Sequence, residues 1–320
     1  LRLKMLSVLA NSTAELDSIV LEFINQSVQG ELLDPTNVKL PPHDLFDFFW
    51  KEVCRHFGYC EDGPTVREFI VFLFKGANPL DADVAQNDHS LLFMQRWKDS
   101  NSHRSSFEQW ASSMEREFNL PERLDAGECD LELKEEDTFE IFDKYIIHQL
   151  CRDFVSNDSS GKLEERIKLR SNSFWKHKHQ NAYLALREAI NLRELVTAAE
   201  LKIESFDVGF ERYVTTWWKI DKAYRRFWFN SRKYGEVSVI GEVNKWVNKS
   251  YVNSYLLPLL DQWSDQVRKM KEWGSKSIGL QKNFFKEKVQ PYLDKKQKLT
   301  VIVSDALRYE AAADFAEHLQ

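Results

Sequence analysis

The chain has 320 residues, 43% apolar and 13% aromatic, with 22 Phe and 10 Trp, which is ample for a packed core and excludes a disordered tail. Its 44 basic and 50 acidic residues give a net charge of −6, so no global field draws it to nucleic acid or to an anionic membrane. Only 11 Gly and 8 Pro favour long helices over many tight turns, and the length suggests about two domains.

In chain order, residues 1–30 read as one helix, with Leu6, Val8, Leu9, Leu16, Ile19, Val20, Leu21, Phe23 and Ile24 at three-to-four spacing. VKLPPHD (38–44) breaks that pattern. LFDFFWKEVCRHFGYC (45–60) predicts a helix stopped near Gly58. DGPTVREFIVFLF (62–74) restarts with Pro near the first helical position and a Thr65-x-x-Glu68 capping box. GANPLDADVAQND (76–88) predicts a loop, followed by helices over 90–97 and 106–118 and an irregular stretch, LPERLDAGECDLEL. Asp137-x-x-Glu140 is a capping signal for a helix over 137–154, with Phe139, Phe142, Ile146 and Leu150 on one face.

SNDSSGKL (156–163) is a Ser/Asn/Gly run between periodic segments and sets a domain boundary, giving helical domains over 1–155 and 156–297. The second contains long helices. One covers 183–203. Another covers 210–229, with Tyr213, Trp217, Ile220, Tyr224 and Phe227 in a helix-packing stripe. A third runs from Val243 to Trp273, with Val243, Val247, Tyr251, Tyr255, Leu259, Trp263, Val267 and Met270 in step and Pro258 as a kink. LTVIV (299–303) is the one confident strand, continuous as in a parallel sheet buried on both faces. A single strand makes no sheet, so its partners are expected beyond Gln320.

Cys54, Cys60, Cys129 and Cys151 form no C-x-x-C pair and no zinc spacing, so reduced thiols and a cytoplasmic location are expected. EFIVFLF and similar runs are too short to span a bilayer, so no membrane partner is expected, and no signal peptide is visible. The absence of an initiator Met and an uncapped end predict an internal fragment of a longer protein.

Asp305 follows the strand. Ligands of open α/β sheets sit at the carboxyl ends of strands, and a carboxylate there can hold a divalent metal that polarises a phosphoryl oxygen. The alternative is that Ser304 or Asp305 caps the following helix. The string VIVSDALRYE closely resembles the opening strand–helix of the alkaline phosphatase-like superfamily, whose first strand ends in a metal-binding Asp. SDALRYE resembles the signature of PglZ proteins of BREX phage-defence systems. FWKEVCRHFGY, IDKAYRRF and SYVNSYLLPLLDQW resemble the region before the phosphatase domain in the type-A, BREX type-1 members.

That resemblance implies a mainly α protein of multi-helix domains, followed over 298–320 by the first βα unit of an α/β alkaline phosphatase-like domain. It implies Asp305 as a ligand of Zn, Mn or Mg in the longer protein, with no metal bound by this chain alone, since tight sites need several converging ligands. It further implies phage defence, phosphodiester or nucleic-acid cleavage, other BREX proteins as partners, and a helical scaffold that is itself inactive. Arg308 and Glu310 match the motif but receive no catalytic role. A non-catalytic helical interaction module and a phosphomutase- or sulfatase-like enzyme are the alternatives. A haloacid-dehalogenase nucleophile at Asp305 would need Asp-x-Asp, and position 307 is Leu; no Gly-rich phosphate loop or G-x-S-x-G is present.

HKH (177–179) is read as a solvated basic face, because rings at i and i+2 of a helix diverge. RIKLRSNSFWKHKH (166–179) and KAYRRFWFNSRK (222–233) interleave cations with aromatics, making Arg166, Lys168, Arg170, Lys176, Lys178, Arg225, Arg226, Arg232 and Lys233 candidate DNA contacts. The competing reading makes them flanks of packed helices, with Tyr224 and Phe227 in the core stripe.

Overall fold

The computed structural model describes residues 1–28, 43–81, 87–127, 136–272, 274–275 and 278–319. Cys129, most of VKLPPHD and residues 82–86 of the expected loop lie outside them.

The expected first helix is two helices, α1 (Arg2–Ala10) and α2 (Leu16–Val28). Asn11 adopts the left-handed conformation at φ 55° and closes α1, its N–H reaching back to the Ser7 and Val8 carbonyls. The apolar spacing concealed this because both helices face one core. α3 (His43–Phe57) stops at Gly58, whose φ of 78° suits glycine. α4 (Val66–Gly76) has the expected cap: Thr65 Oγ1 accepts from the Glu68 N–H at 3.1 Å. α5 (Asp88–Asp99) and α6 (Arg104–Glu117) follow, capped in the first case by Asn87.

Within the stretch expected to be irregular, Leu120–Asp125 forms a short helix, α7, with Pro121 in its first turn and Leu120 and Leu124 buried. Burial of two leucines outweighs the weak local signal. α8 (Glu140–Val155) buries Phe142, Ile146 and Leu150 as expected, with Phe139 buried just ahead of it, but Asp137 does not cap it. The Asp137 carboxylate instead pairs with Lys98 and accepts the Phe174 N–H at 2.8 Å.

The Ser/Asn/Gly run is a turn into α9 (Ser160–Leu169), with Asn157 at φ 66°. Arg193 fastens it, donating to the carbonyls of Phe154 at 3.2 Å and Asp158 at 3.0 Å. Then come α10 (Lys176–Ala198), α11 (Phe206–Arg212), a π turn (Tyr213–Trp217) and α12 (Trp218–Tyr234). α13 (Val237–Lys249) passes through a second π turn (Ser250–Leu256) into α14 (Leu257–Lys269). Pro258, expected as a kink, sits in the first turn of α14 directly after that π turn, where a residue without an N–H is tolerated. α15 (Gln290–Asp294) and α16 (Tyr309–Leu319) complete the helices.

No strand exists among the described residues. LTVIV, expected as a buried strand, is non-helical and exposed, with Ile302 89% and Val303 87% accessible. A strand exists only through pairing with a neighbour, and none is offered here.

The contacts divide the chain into two compact units. One comprises residues 1–146 and 168–179. Its core is aromatic: Phe57 meets Phe69 and Phe93 edge-on at 5.2 and 5.1 Å, and Trp97 meets Phe107 at 5.3 Å. Each such ring contributes about 1.5–3 kcal/mol by burial. The other comprises residues 147–167 and 180–320. It buries Trp217, Ile220 and Phe227 of the expected stripe, together with Val243, Val247 and Tyr255.

Cys54 and Cys60 are joined in a disulfide, correcting the expectation of reduced thiols. The turn at Gly58 brings the end of α3 back on itself, which spacing alone did not reveal. Cys151 is a free thiol, and burial raises its pKa to about 12.

Candidate functional site

The SDALRYE segment spans residues 304–310 of the second unit. Asp305 lies exposed in a turn, four residues ahead of Tyr309, where α16 begins. It is therefore not the cap of α16, which was the alternative reading of that residue.

Glu310 behaves differently. It is only 4% exposed, whereas residues 301–309 are all exposed. Both of its carboxylate oxygens accept from Arg225 Nε, at 3.0 and 2.8 Å. One turn along α16, Asp314 accepts from Arg225 Nη2 at 2.8 Å and Arg226 Nη2 at 2.6 Å, with Lys222 Nζ at 3.1 Å. Lys222 also donates to Glu317 at 2.7 Å. Burial works against the Asp314 carboxylate, but Arg225, Lys222 and Arg226 outweigh it and hold its carboxyl down at about 2.

The spacing of the charges explains this clasp. Lys222, Arg225 and Arg226 occupy i, i+3 and i+4 of α12, and Glu310, Asp314 and Glu317 occupy i, i+4 and i+7 of α16, so each helix presents one charged stripe. The motif alone did not disclose it. The legible signal is two complementary charge stripes, which include Lys222, Asp314 and Glu317.

The π turns place a second group beside it. Tyr213, in the first π turn, donates its hydroxyl to Asp221 at 2.7 Å, and Tyr251, in the second, donates at 2.9 Å. Burial raises the Asp221 pKa, and the phenols only partly offset it. Tyr251 stacks on Tyr224 at 3.8 Å. Tyr309 rests its ring 5.8 Å from Tyr213 and donates its hydroxyl to the Val214 carbonyl at 3.2 Å. Beside this group, Gly209, Phe210, Tyr213, Trp217, Leu259, Leu260 and Trp263 line an apolar cleft of about 150 Å³.

The candidate DNA contacts fall into two groups. Arg170 is buried against Asp143, Arg166 pairs with Asp153, Lys178 with Glu140 at 2.7 Å, and Arg225 and Arg226 belong to the clasp. Lys168, Lys176, Arg232 and Lys233 are exposed, with Arg232 over Trp228 and Lys233 over Phe229. In HKH the rings do not gather at one point. His177 lies against Arg104, while His179 is buried with Nε2 3.3 Å from Glu140, so this is not wholly the solvated face expected.

Comparison with known proteins bears on the same segment. A family model for the BREX system PglZ alkaline phosphatase-like domain matches residues 284–320. The chain is similar to PglZ. The alkaline phosphatase-like protein PglZ of Bacillus cereus is 25% identical over 289 residues, covering 85% of this chain and 34% of that protein. The alkaline phosphatase-like protein BrxZ of Escherichia coli is 25% identical over 364 aligned positions, covering 99% of this chain and 40% of that protein. The likeness to PglZ and BrxZ thus extends through the helical region, and the chain spans 34–40% of the length of these curated relatives. No solved structure matches.

A divalent metal at Asp305 is the group that PglZ resemblance implies. Asp305 supplies one hard oxygen donor. Among the described residues no group of three or more His, Cys, Asp or Glu converges to hold an ion. No chemical step is therefore derived through an ion there. No helix among the described residues is long and apolar enough to cross a membrane.

Proposed function

We propose that this chain is the helical platform of a BREX phage-defence protein and carries the first segment of a metal-dependent phosphohydrolase domain. Asp305 contributes one ligand to a divalent ion, zinc, manganese or magnesium, whose other ligands come from the remainder of such a domain. The reaction is hydrolysis of a phosphodiester, with nucleic acid as the substrate class. The ion's role is to polarise a phosphoryl oxygen or to activate the nucleophile.

One observation carries this reading. α16 is seated on α12 through the charged clasp, while Ile302, Val303 and Leu307 are 89, 87 and 54% exposed beside Asp305. An apolar run presented to solvent on a firmly seated helix suits a strand that joins a sheet, and in α/β sheets the residue after such a strand faces the ligand. The helices would position that domain and dock other BREX proteins. DNA would be met within each unit separately, by the exposed cations Lys168 and Lys176 in one and Arg232 and Lys233 in the other.

The test uses a protein in which this chain continues into a complete alkaline phosphatase-like domain. Hydrolysis of a phosphodiester reporter and of DNA is measured with added Zn²⁺, Mn²⁺ or Mg²⁺, for wild type and Asp305→Ala. The expected result is metal-dependent turnover that Asp305→Ala abolishes without unfolding the protein. Full activity in Asp305→Ala would remove Asp305 from the site and leave a non-catalytic interaction module as the reading.

A further inference from the structure

We infer that the Tyr309-Glu310 end of SDALRYE is a docking element, and that Arg225 of α12 is a positioning residue for Asp305. The inference rests on the reading above, in that it concerns how the segment carrying Asp305 is held.

The motif divides by environment. Ser304 to Tyr309 are exposed, whereas Glu310 is buried, and Tyr309 holds the Val214 carbonyl through its hydroxyl. A buried carboxylate is costly unless paired and hydrogen-bonded. Arg225 meets that cost for Glu310, engaging both oxygens with Nε while its Nη2 reaches Asp314. With both oxygens occupied by a guanidinium, Glu310 is poorly placed to bind an ion or move a proton. Its burial and its partner describe an anchor.

The anchor lies close to the functional end. Asp305 stands four positions before Tyr309, a tether of at most about 14 Å when fully extended. Holding Tyr309 and Glu310 therefore confines where the Asp305 carboxylate can go. A ligand confined near its working position loses less freedom when the ion binds. Arg225 acts on Asp305 only through α16, by way of Glu310 and Asp314. The sequence arrangement agrees: the cations stand on the helix IDKAYRRF and the anions within YEAAADFAE, 85 residues on, with no local reason for the two spacings to match.

The test again uses the chain joined to a complete alkaline phosphatase-like domain, with Mn²⁺ as the probe. Amide hydrogen exchange over residues 309–319 and Mn²⁺ affinity are measured for wild type, Arg225→Gln, Arg225→Glu, the charge swap Arg225→Glu with Glu310→Arg, and Asp305→Ala. Arg225→Gln, the milder change, removes the charge-assisted contacts to Glu310 and Asp314 and is expected to speed exchange in α16 and weaken Mn²⁺ binding, each by about tenfold. Arg225→Glu should do more, and the swap should recover part of both losses. Unchanged exchange in both Arg225 variants overturns the docking. Faster exchange with unaltered Mn²⁺ affinity overturns the positioning. Asp305→Ala separates the two readings: if it leaves Mn²⁺ affinity intact, the metal assignment falls, while the exchange data still decide the anchor.

Discussion

Arg170 and Asp143 form an ion pair that solvent scarcely reaches, with side chains 1% and 0% exposed and Arg170 Nη2 donating to Asp143 Oδ2 at 2.7 Å. Ser173 Oγ donates to the same oxygen at 2.7 Å, and the Glu136 carbonyl accepts from Arg170 Nη1 at 2.9 Å. The pair fastens the turn after α9 to α8 within the first unit. Arg170→Met strands a buried carboxylate and should lower unfolding free energy by about 3–5 kcal/mol, whereas Asp143→Leu with Arg170→Met should cost much less. Urea unfolding of the two variants decides it, and equal losses would contradict the account.

Glu140 gives a pH signature. His179 chiefly, then Lys178, stabilises its charged form against the opposing effect of burial, and its carboxyl falls from an ordinary 4.5 to about 2. A pKa depressed by folding contributes stability that is complete above the ordinary value and disappears as pH falls through the folded one. Wild type should exceed Glu140→Gln by about 1–2 kcal/mol near pH 6. That difference should shrink between pH 4.5 and about 2. Urea titrations of both proteins across this range would reveal it, and a gap that widened in acid would refute it.

Gly209 has no room for a side chain. A Cβ there would stand 2.9 Å from Ile203 Cγ2 and 3.0 Å from Trp263 Cζ3. Gly209→Ala gains about 1 kcal/mol in helix propensity but overpacks by about 1–3 kcal/mol, so a net loss near 1 kcal/mol is expected. A thermal melt would check this, and a raised Tm would mean that the indole yields freely.

The Cys54–Cys60 disulfide closes a short loop around Gly58, with a sequence separation of 6. Cys60→Ser should cost about 2 kcal/mol through the freed unfolded chain. Reductant should destabilise wild type by a similar amount and leave the variant untouched. Sensitivity of the variant to reductant would show that the effect lies elsewhere.

The helices were legible where one local cause dominated. Thr65 with Glu68 announced α4, and the Phe139 to Leu150 face announced α8. Misreadings arose where distant groups took over. Asp137 resembles a cap in sequence but is engaged by Lys98 and Phe174, whose proximity no local pattern encodes. The break at Asn11 depends on one left-handed residue inside an otherwise uniform apolar rhythm. LTVIV has strand composition, yet a strand is a relation between segments and not a property of one. At the candidate site, the motif pointed to Asp305, while the anchoring role of Glu310 required Arg225, 85 residues earlier, to come into view.

The π turn before Pro258 has a consequence for register. One extra residue in a helical ladder rotates all that follows by about 100° and advances it by about 1.5 Å. Trp263 reaches Gly209 because the helix has spent that residue between Ser250 and Leu256. Shortening the turn by one position would yield a more regular helix with the wrong side facing inward. The irregularity works as a phase adjuster, setting which face α14 presents to α11.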